Sequence, residues 1–245
     1  MLFRSSIDEV FHLVESHKAH YGVVPVENST EGAINRTLDL LLTSSTLICA
    51  EIILPVHHNL ISNEKDLSSI KKIYSHAQSL SQCHQWILNH APGVELQSVS
   101  SNAEAVKIAS KEKGSAAIAS IRAAALFSTP VLHENIEDDP KNSTRFLVIS
   151  DHQVKPSGLD KTSIIVAAKN QPGAIASMIE PFAKNKVSMT KLESRPSKTG
   201  LWEYVFFIDV EGHMTDSKVA LSLKEIESKA SFLKVLGSYP QSNLT

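Results

Sequence analysis

Asn142-Ser143-Thr144-Arg145-Phe146 sets an amide, a hydroxyl and a guanidinium within a few residues, directly ahead of the apolar run Leu147-Val148-Ile149. In open α/β sheets ligands gather at strand ends, so a hydroxyl donor beside a fixed cation suits an anionic substrate that must shed an oxygen. A plain surface turn would use the same residues, and Asn142-Ser143-Thr144 also fits a glycosylation sequon. Two other polar turns stand in comparable places. Glu27-Asn28-Ser29-Thr30-Glu31-Gly32 follows the apolar stretch Tyr21 to Val26 and precedes Ile34, Leu38, Leu41 and Leu42 at helical spacing. Ser29 and Thr30 are therefore expected near a helix N-terminus, either as a carboxylate cradle or as ordinary N-cap residues. Ser75-His76-Ala77-Gln78 separates the strand-like Ile70 to Tyr74 from a helix with Leu80, Cys83, Trp86 and Ile87 on one side. His76 there reads as a cap, a surface residue or a catalyst. Convergence of the turns at Asn28 to Thr30, Ser75 to Gln78 and Asn135 to Arg145 in one cleft is what would make them a site.

The elements that must position these turns follow from periodicity. Ser6-Ile7-Asp8-Glu9 has the form of a capping box, with Ile7, Val10, Phe11 and Val14 behind it, so the chain opens on an amphipathic helix. Leu47 to Leu60 is strand-like, with a crossing between lobes expected at His57-His58-Asn59. Ser101-Asn102-Ala103-Glu104 caps an alanine-rich helix that Gly114 ends, and Ala116 to Ala119 and Ile121 to Phe127 read as a strand and a short helix. Strands alternating with helices predict a mainly parallel sheet covered on both faces. Ser150 to Asp160 is polar, holds Pro156 and Gly158 and lacks periodicity, which predicts a domain boundary. The order beyond it is βαββαβ. Its strands are Thr162 to Ala168, Val187 to Leu192, Trp202 to Val210 and Phe232 to Leu236, with a turn at Ser197-Lys198-Thr199-Gly200. That is the order of a ferredoxin-like sandwich with one sheet face bare of helices and an edge able to pair with a second copy.

Composition narrows the setting. A chain of 245 residues, 42% hydrophobic, is long enough for two globular domains. Its formal net charge of -2 gives no electrostatic reason for nucleic acid or an anionic membrane as a partner. The longest apolar run, Leu47 to Val56, is interrupted by Glu51 and Pro55, so no membrane span is expected, and no secretion signal is read at the N-terminus. Cys49 and Cys83 are isolated, and the pair His57-His58 has no cysteine or carboxylate at metal spacing, so neither a disulfide nor a metal is expected. A reducing cytoplasm fits this cysteine usage.

Tyr21 to Gly32, Ser75 to Gln78, Asn135-Ile136-Glu137-Asp138 and Asn142 to Phe146, in that order, closely resemble prephenate dehydratase. The tail resembles an ACT domain of the phenylalanine-sensing kind. Pro172-Gly173-Ala174-Ile175 stands in place of that family's Gly-Ala-Leu element, and Glu193-Ser194-Arg195-Pro196 matches its second motif. The resemblance covers almost the whole chain. It implies an α/β fold: a two-lobed, periplasmic-binding-protein-like catalytic domain over 1–150, then an α+β ferredoxin-like ACT domain over 160–245. It further implies a lyase without a cofactor that converts prephenate to phenylpyruvate in phenylalanine biosynthesis. L-Phenylalanine would be the allosteric inhibitor of a homodimer or homotetramer. Family members begin upstream, with a strand and a Gly-Pro-x-Gly-Thr/Ser turn that has no counterpart here. The resemblance thus implies an N-terminally truncated catalytic domain, which bears on the activity of the chain as it stands.

By the same resemblance Thr144 is the hydroxyl that assists the departing oxygen, and Arg145 holds the pyruvyl carboxylate or supports the loop. Asn28, Ser29, Thr30, Ser75, His76, Gln78, Asn142 and Phe146 complete the substrate site. Gly173, Ala174 and Ile175 with Glu193, Ser194, Arg195 and Pro196 form the effector site. Arogenate dehydratase shares these motifs, and a non-catalytic amino-acid sensor on the same scaffold is the alternative from another class.

Overall fold

The computed structural model describes residues 6–167, 171–197 and 204–242. Its contacts group into two compact units, one of residues 1–54 with 144–245 and the other of residues 55–143. Helix α1 (Ile7–Glu15) starts where the capping box predicts, with the Ser6 side chain accepting from the Glu9 N–H at 3.3 Å, and it buries Phe11 and Val14. Strand β1 (Gly22–Asn28), the short β2 (Gly32–Ala33), α2 (Asn35–Thr43) and β3 (Leu47–Pro55) follow. The turn between β1 and β2 differs from expectation. Asn28 Oδ1 accepts from the N–H groups of Thr30 at 3.0 Å and Glu31 at 3.1 Å, and Gly32, at φ 82°, lets the chain double back. Ser29 and Thr30 therefore sit at the tip of a hairpin, while α2 begins after Ile34 with no side-chain cap.

The second unit begins at Pro55, two residues before the crossing expected at His57-His58-Asn59. It contains β4 (Asn59–Ile61), β5 (Lys72–Ser75), α3 (Ala77–Gln82), α4 (His84–His90), β6 (Glu95–Ser98), α5 (Asn102–Ala109), β7 (Ser115–Ala119), α6 (Ile121–Leu126) and β8 (Val131–His133). The sheet order is β6-β5-β7-β4-β8. Only β6-β5-β7 is parallel, because β4 runs antiparallel to both β7 and β8. The single helix expected around Cys83 is two. The Asp138 carboxylate accepts from Gln85 N and Trp86 N, both at 2.9 Å, and so satisfies the first amides of a new helix at the break. Leu60, Ile73, Cys83, Ile87, Ile118 and Ile136 form the core beneath these helices.

Strand β9 (Ser143–Ser150) brings the chain back to the first unit and lies between β1 and β3 in the order β2-β1-β9-β3, antiparallel to β1. The mainly parallel sheet expected from strand–helix alternation is thus not formed here. A strand that returns after a whole inserted unit is not held to the short crossover that enforces parallel pairing. Residues 151–159 carry no regular structure. Then come β10 (Asp160–Ala167), α7 (Ala174–Lys184), β11 (Met189–Pro196), β12 (Tyr204–Glu211), α8 (Ser217–Lys229) and β13 (Phe232–Pro240), in the antiparallel order β11-β12-β10-β13. Residues 198–200 of the anticipated turn, Ala168 and Trp202 lie outside the described residues.

Helices α7 and α8 cover one face of this sheet through Ile164, Val166, Met178, Phe182, Ile208 and Ile226. The face expected to be bare is covered too. Ile165, Val205, Phe207 and Tyr239 share one core with Val24, Leu38, Ile48 and Leu147, which is why residues 160–240 cluster with the start of the chain. The fit is close at Gly237, where a Cβ would lie 2.2 Å from the Ile48 carbonyl oxygen and where φ is 150°. Gly237→Ala is expected to cost about 1–3 kcal/mol or more in denaturant unfolding, since neither backbone can yield without opening the shared core.

Candidate functional site

The β1–β9 register places Asn28 opposite Thr144 and Glu27 opposite Arg145. Side chains directly opposite each other on one sheet face touch, and successive ones point to opposite faces. Asn28 Nδ2 accordingly donates to Thr144 Oγ1 at 3.1 Å, while Asn28 Oδ1 holds the hairpin tip carrying Ser29 and Thr30. The Thr144 oxygen accepts this bond and the hydroxyl proton stays uncommitted. Among the described residues it donates to no group. A threonine so held offers an oriented O–H to whatever lies in front of it. Phe146, two residues on, follows the same face and is half-buried.

Arg145 points the other way. Its Nε donates to Glu51 Oε2 at 2.7 Å, Nη1 to Asp209 Oδ2 at 2.7 Å and Nη2 to the Tyr239 hydroxyl at 3.0 Å, with Glu27 Oε2 3.7 Å from Nη1. Lys161 Nζ lies 2.8 and 2.9 Å from the two Glu51 oxygens, and Lys191 Nζ lies 2.5 Å from Glu27. Burial works against the guanidinium charge, but Asp209, Tyr239 and Glu51 outweigh it and raise the Arg145 pKa. Burial and Asp209 likewise push the Tyr239 hydroxyl well up. The cavity beside this group, lined by Arg145, Ser163, Lys191 and Asp209, holds about 20 Å³, room for one water and not for a substrate. Of the two roles expected for Arg145, holding a substrate carboxylate or supporting the loop, these contacts favour the second. Its side chain is a structural tie, because strand alternation turns it away from the Thr144 face.

In the second unit Ser75 is fully buried, its Oγ 2.9 Å from Asn102 Oδ1 and 2.7 Å from the Ile118 carbonyl. Asn102 also accepts from His76 N at 3.0 Å and donates to Ser79 at 2.9 Å. Ser75 thus fixes the turn, whereas the His76 and Gln78 side chains stand exposed at it. His76 Nδ1 accepts from Gln78 N at 3.4 Å, the cap reading of that histidine. Asn142 is buried, and its carbonyl accepts from Val56 N at 2.9 Å, tying together the two ends of the second unit.

Nearby in sequence, Glu137 bonds His57 Nδ1 at 2.7 Å and the His58 N–H at 2.8 Å. Burial alone would raise its pKa, but these two donors outweigh burial and hold it below the ordinary 4.5. A carboxyl whose folded pKa is depressed stabilises the fold above its unfolded pKa and loses that contribution as pH falls through the folded value. Melting temperature should therefore fall as pH drops below the ordinary carboxylate value, and Glu137→Gln should flatten that part of the profile.

At the far end of the chain Gly173, at φ 79°, precedes α7, with Ile175 exposed beside it. Strand β11 turns Lys191, Glu193 and Arg195 toward the shared core and leaves Leu192, Ser194 and Pro196 exposed. Arg195 bonds Asn35 and, at 2.8 Å, Asp39 of α2. Arg195, expected as part of an effector site, thus has its guanidinium held by α2 side chains.

Sequence reasoning passed over Glu27, Glu51, Asp209 and Asn102. The signal for two of them was a carboxylate inside an apolar run, Leu47 to Val56 for Glu51 and Val205 to Val210 for Asp209, since a buried charge needs a partner. Among the described residues no histidine, cysteine and carboxylate group could hold a metal, and no helix is long and apolar enough to cross a membrane.

Residues 1–154 match the prephenate dehydratase family and residues 162–228 the ACT domain family. The chain belongs to the prephenate dehydratase family. It is 50% identical over 241 residues to a bifunctional chorismate mutase/prephenate dehydratase of Pseudomonas aeruginosa, covering 98% of this chain and 66% of that protein. A prephenate dehydratase of Methanocaldococcus jannaschii is 38% identical, with 96% and 86% covered. Among solved structures, a prephenate dehydratase of Arthrobacter aurescens in complex with L-Phe superposes with a TM-score of 0.87 at 32% identity, covering 97% of this chain and 80% of that one. The chain thus spans 66% of the length of the Pseudomonas relative. In prephenate dehydratase terms, the Asn28–Thr144 pair lies in the matched segment and the Arg195–Asp39 contact joins the segments of both families.

Proposed function

We propose that this chain is a lyase converting prephenate to phenylpyruvate, with a catalytic domain over 1–150 and an ACT domain over 160–245. The observation that carries the reading is the Thr144 hydroxyl, held by Asn28 Nδ2 at 3.1 Å and donating to no group among the described residues, inside the segment that matches the family. Prephenate loses a ring carboxylate as carbon dioxide, and the electron pair released drives out the ring hydroxyl and leaves an aromatic ring. The hydroxyl departs as water once it has gained a proton. Thr144 donates a hydrogen bond to that oxygen or relays to it a proton taken up from solvent; such assistance is worth roughly 10²–10⁴-fold. The departing carboxylate gains from being desolvated and not paired with a strong cation, which agrees with Arg145 being tied up elsewhere.

Asn28, Ser29, Thr30, Asn142 and Phe146, with the exposed His76 and Gln78, are the residues we assign to substrate. Ser75 acts by holding the His76 turn. L-Phenylalanine, the molecule bound in the Arthrobacter relative, is the effector we assign to Gly173, Ala174 and Ile175 together with Glu193, Ser194, Arg195 and Pro196, in a homodimer or homotetramer in the cytoplasm. Glycine at position 173 lets backbone amides approach a carboxylate, and exposed Ile175 offers an apolar contact for a ring. The test is product formation by the purified chain, phenylpyruvate from prephenate and, in parallel, phenylalanine from arogenate, with L-phenylalanine titrated in the prephenate assay against wild type and Glu193→Ala. Turnover of prephenate, weakened inhibition in Glu193→Ala and little turnover of arogenate are expected. Preference for arogenate would reassign the substrate, absence of turnover with intact L-phenylalanine binding would make the chain a sensor, and equal binding by Glu193→Ala would remove Glu193 from the effector site.

A further inference from the structure

We propose that Lys191 and Asp209, two side chains of the C-terminal sheet, are positioning residues for the Asn28–Thr144 pair, acting through Glu27 and Arg145. The inference rests on the role assigned to Thr144 and extends it to a segment outside the catalytic family match. Glu27, Glu51 and Asp209 face Arg145, Lys161 and Lys191 in one cluster, buried except at the half-exposed Glu27, whose formal charges balance, with contacts from 2.5 to 3.7 Å. Two of its members, Glu27 and Arg145, are a cross-strand pair, and the next pair along is Asn28 and Thr144. Whatever fixes the first pair fixes the second, one residue further on the same two strands.

The sheet alone holds this end of β1 weakly. The β1–β9 register shifts between Pro25 and Glu27, and the outer neighbour β2 pairs at only Glu27 and Asn28. A bulge disrupts the ladder just behind this strand end, so the side-chain ties add to the short pairing in setting its position. Those ties come from the C-terminal sheet. Asp209 on β12 accepts from Arg145 Nη1 and from Ser163 Oγ, and Lys191 on β11 reaches Glu27. Strand β11 is the sheet edge, with β12 as its one neighbour, and on the same face Arg195 grips α2. A shift of β11 is therefore passed to Glu27 and to α2 together, which couples the strand bearing Glu193 to the geometry of Thr144.

Lys191→Met, Lys191→Gln and Asp209→Asn are the tests, with Lys191→Arg as the conservative rescue and Lys184→Met, which breaks an exposed pair with Glu225, as control. Expected is a fall in kcat of about 10- to 100-fold with KM for prephenate nearly unchanged, substantial recovery in Lys191→Arg, and no change in the control. In a Thr144→Ala background Lys191→Met should cause no further loss. Hydrogen exchange of the amides at residues 26–29 and 144–146, read without substrate, should quicken in Lys191→Met, and this readout holds even if wild type proves inactive and the dehydratase reading itself fails. Normal kcat in the folded variants, an undiminished loss in the Thr144→Ala background, or unchanged exchange at those amides would overturn the proposal.

Discussion

Thr144→Ala should lower kcat for prephenate by roughly 10²–10⁴-fold with KM and melting temperature little altered. The hydroxyl is half-buried and among the described residues bonds Asn28 alone, at 3.1 Å, so its removal opens no large void and strands no buried charge. Thr144→Ser keeps the hydroxyl on the same strand position and should retain most of the rate, losing a part to the extra rotamer freedom of serine. Kinetics of the two variants side by side decide the matter. A Thr144→Ala enzyme with near-normal turnover would remove the residue from the chemistry.

The second large effect is on stability. Arg145→Met leaves Asp209 without its cation and Glu51 with Lys161 and the Ser242 N–H, in surroundings where their side chains are 8% and 0% exposed. Removing one partner of a buried ionic group costs about 3–5 kcal/mol, which for a chain of this size lowers the melting temperature by something on the order of 10 °C. Arg145→Lys should recover only part of this, because one ammonium cannot reach Glu51, Asp209 and Tyr239 at once as the planar fork does. Calorimetry and KM read together separate this role from substrate binding. A strongly raised KM with an unshifted melting temperature would instead put Arg145 on a substrate carboxylate.

Much of the fold was legible because its signals are local. The capping box at Ser6, the βαββαβ rhythm of the tail and the strand opening at Asn142 all depend on neighbours in sequence, and the structure keeps them. What was not legible depends on partners far along the chain. Ser29 and Thr30 resemble N-cap residues until Asn28 is seen to bind both the turn amides and Thr144, 116 positions away. The helix through Cys83 is broken by a carboxylate more than 50 residues later. For Arg145, next to Thr144, the sequence left a carboxylate ligand and a supporting role both open, because it does not show that on a strand adjacency in sequence means opposite faces in space. Glu51 and Asp209, each a lone charge in an apolar run, were the available warning that such a face was occupied by a buried counter-ion.

A double-mutant cycle on Asn28 and Thr144 puts the role of the held hydroxyl to the most direct test. If Asn28 acts by orienting the Thr144 O–H toward the departing oxygen, Asn28→Ala slows kcat in the wild-type background and adds almost nothing once Thr144 is alanine. Full multiplication of the two losses in the double variant would contradict it.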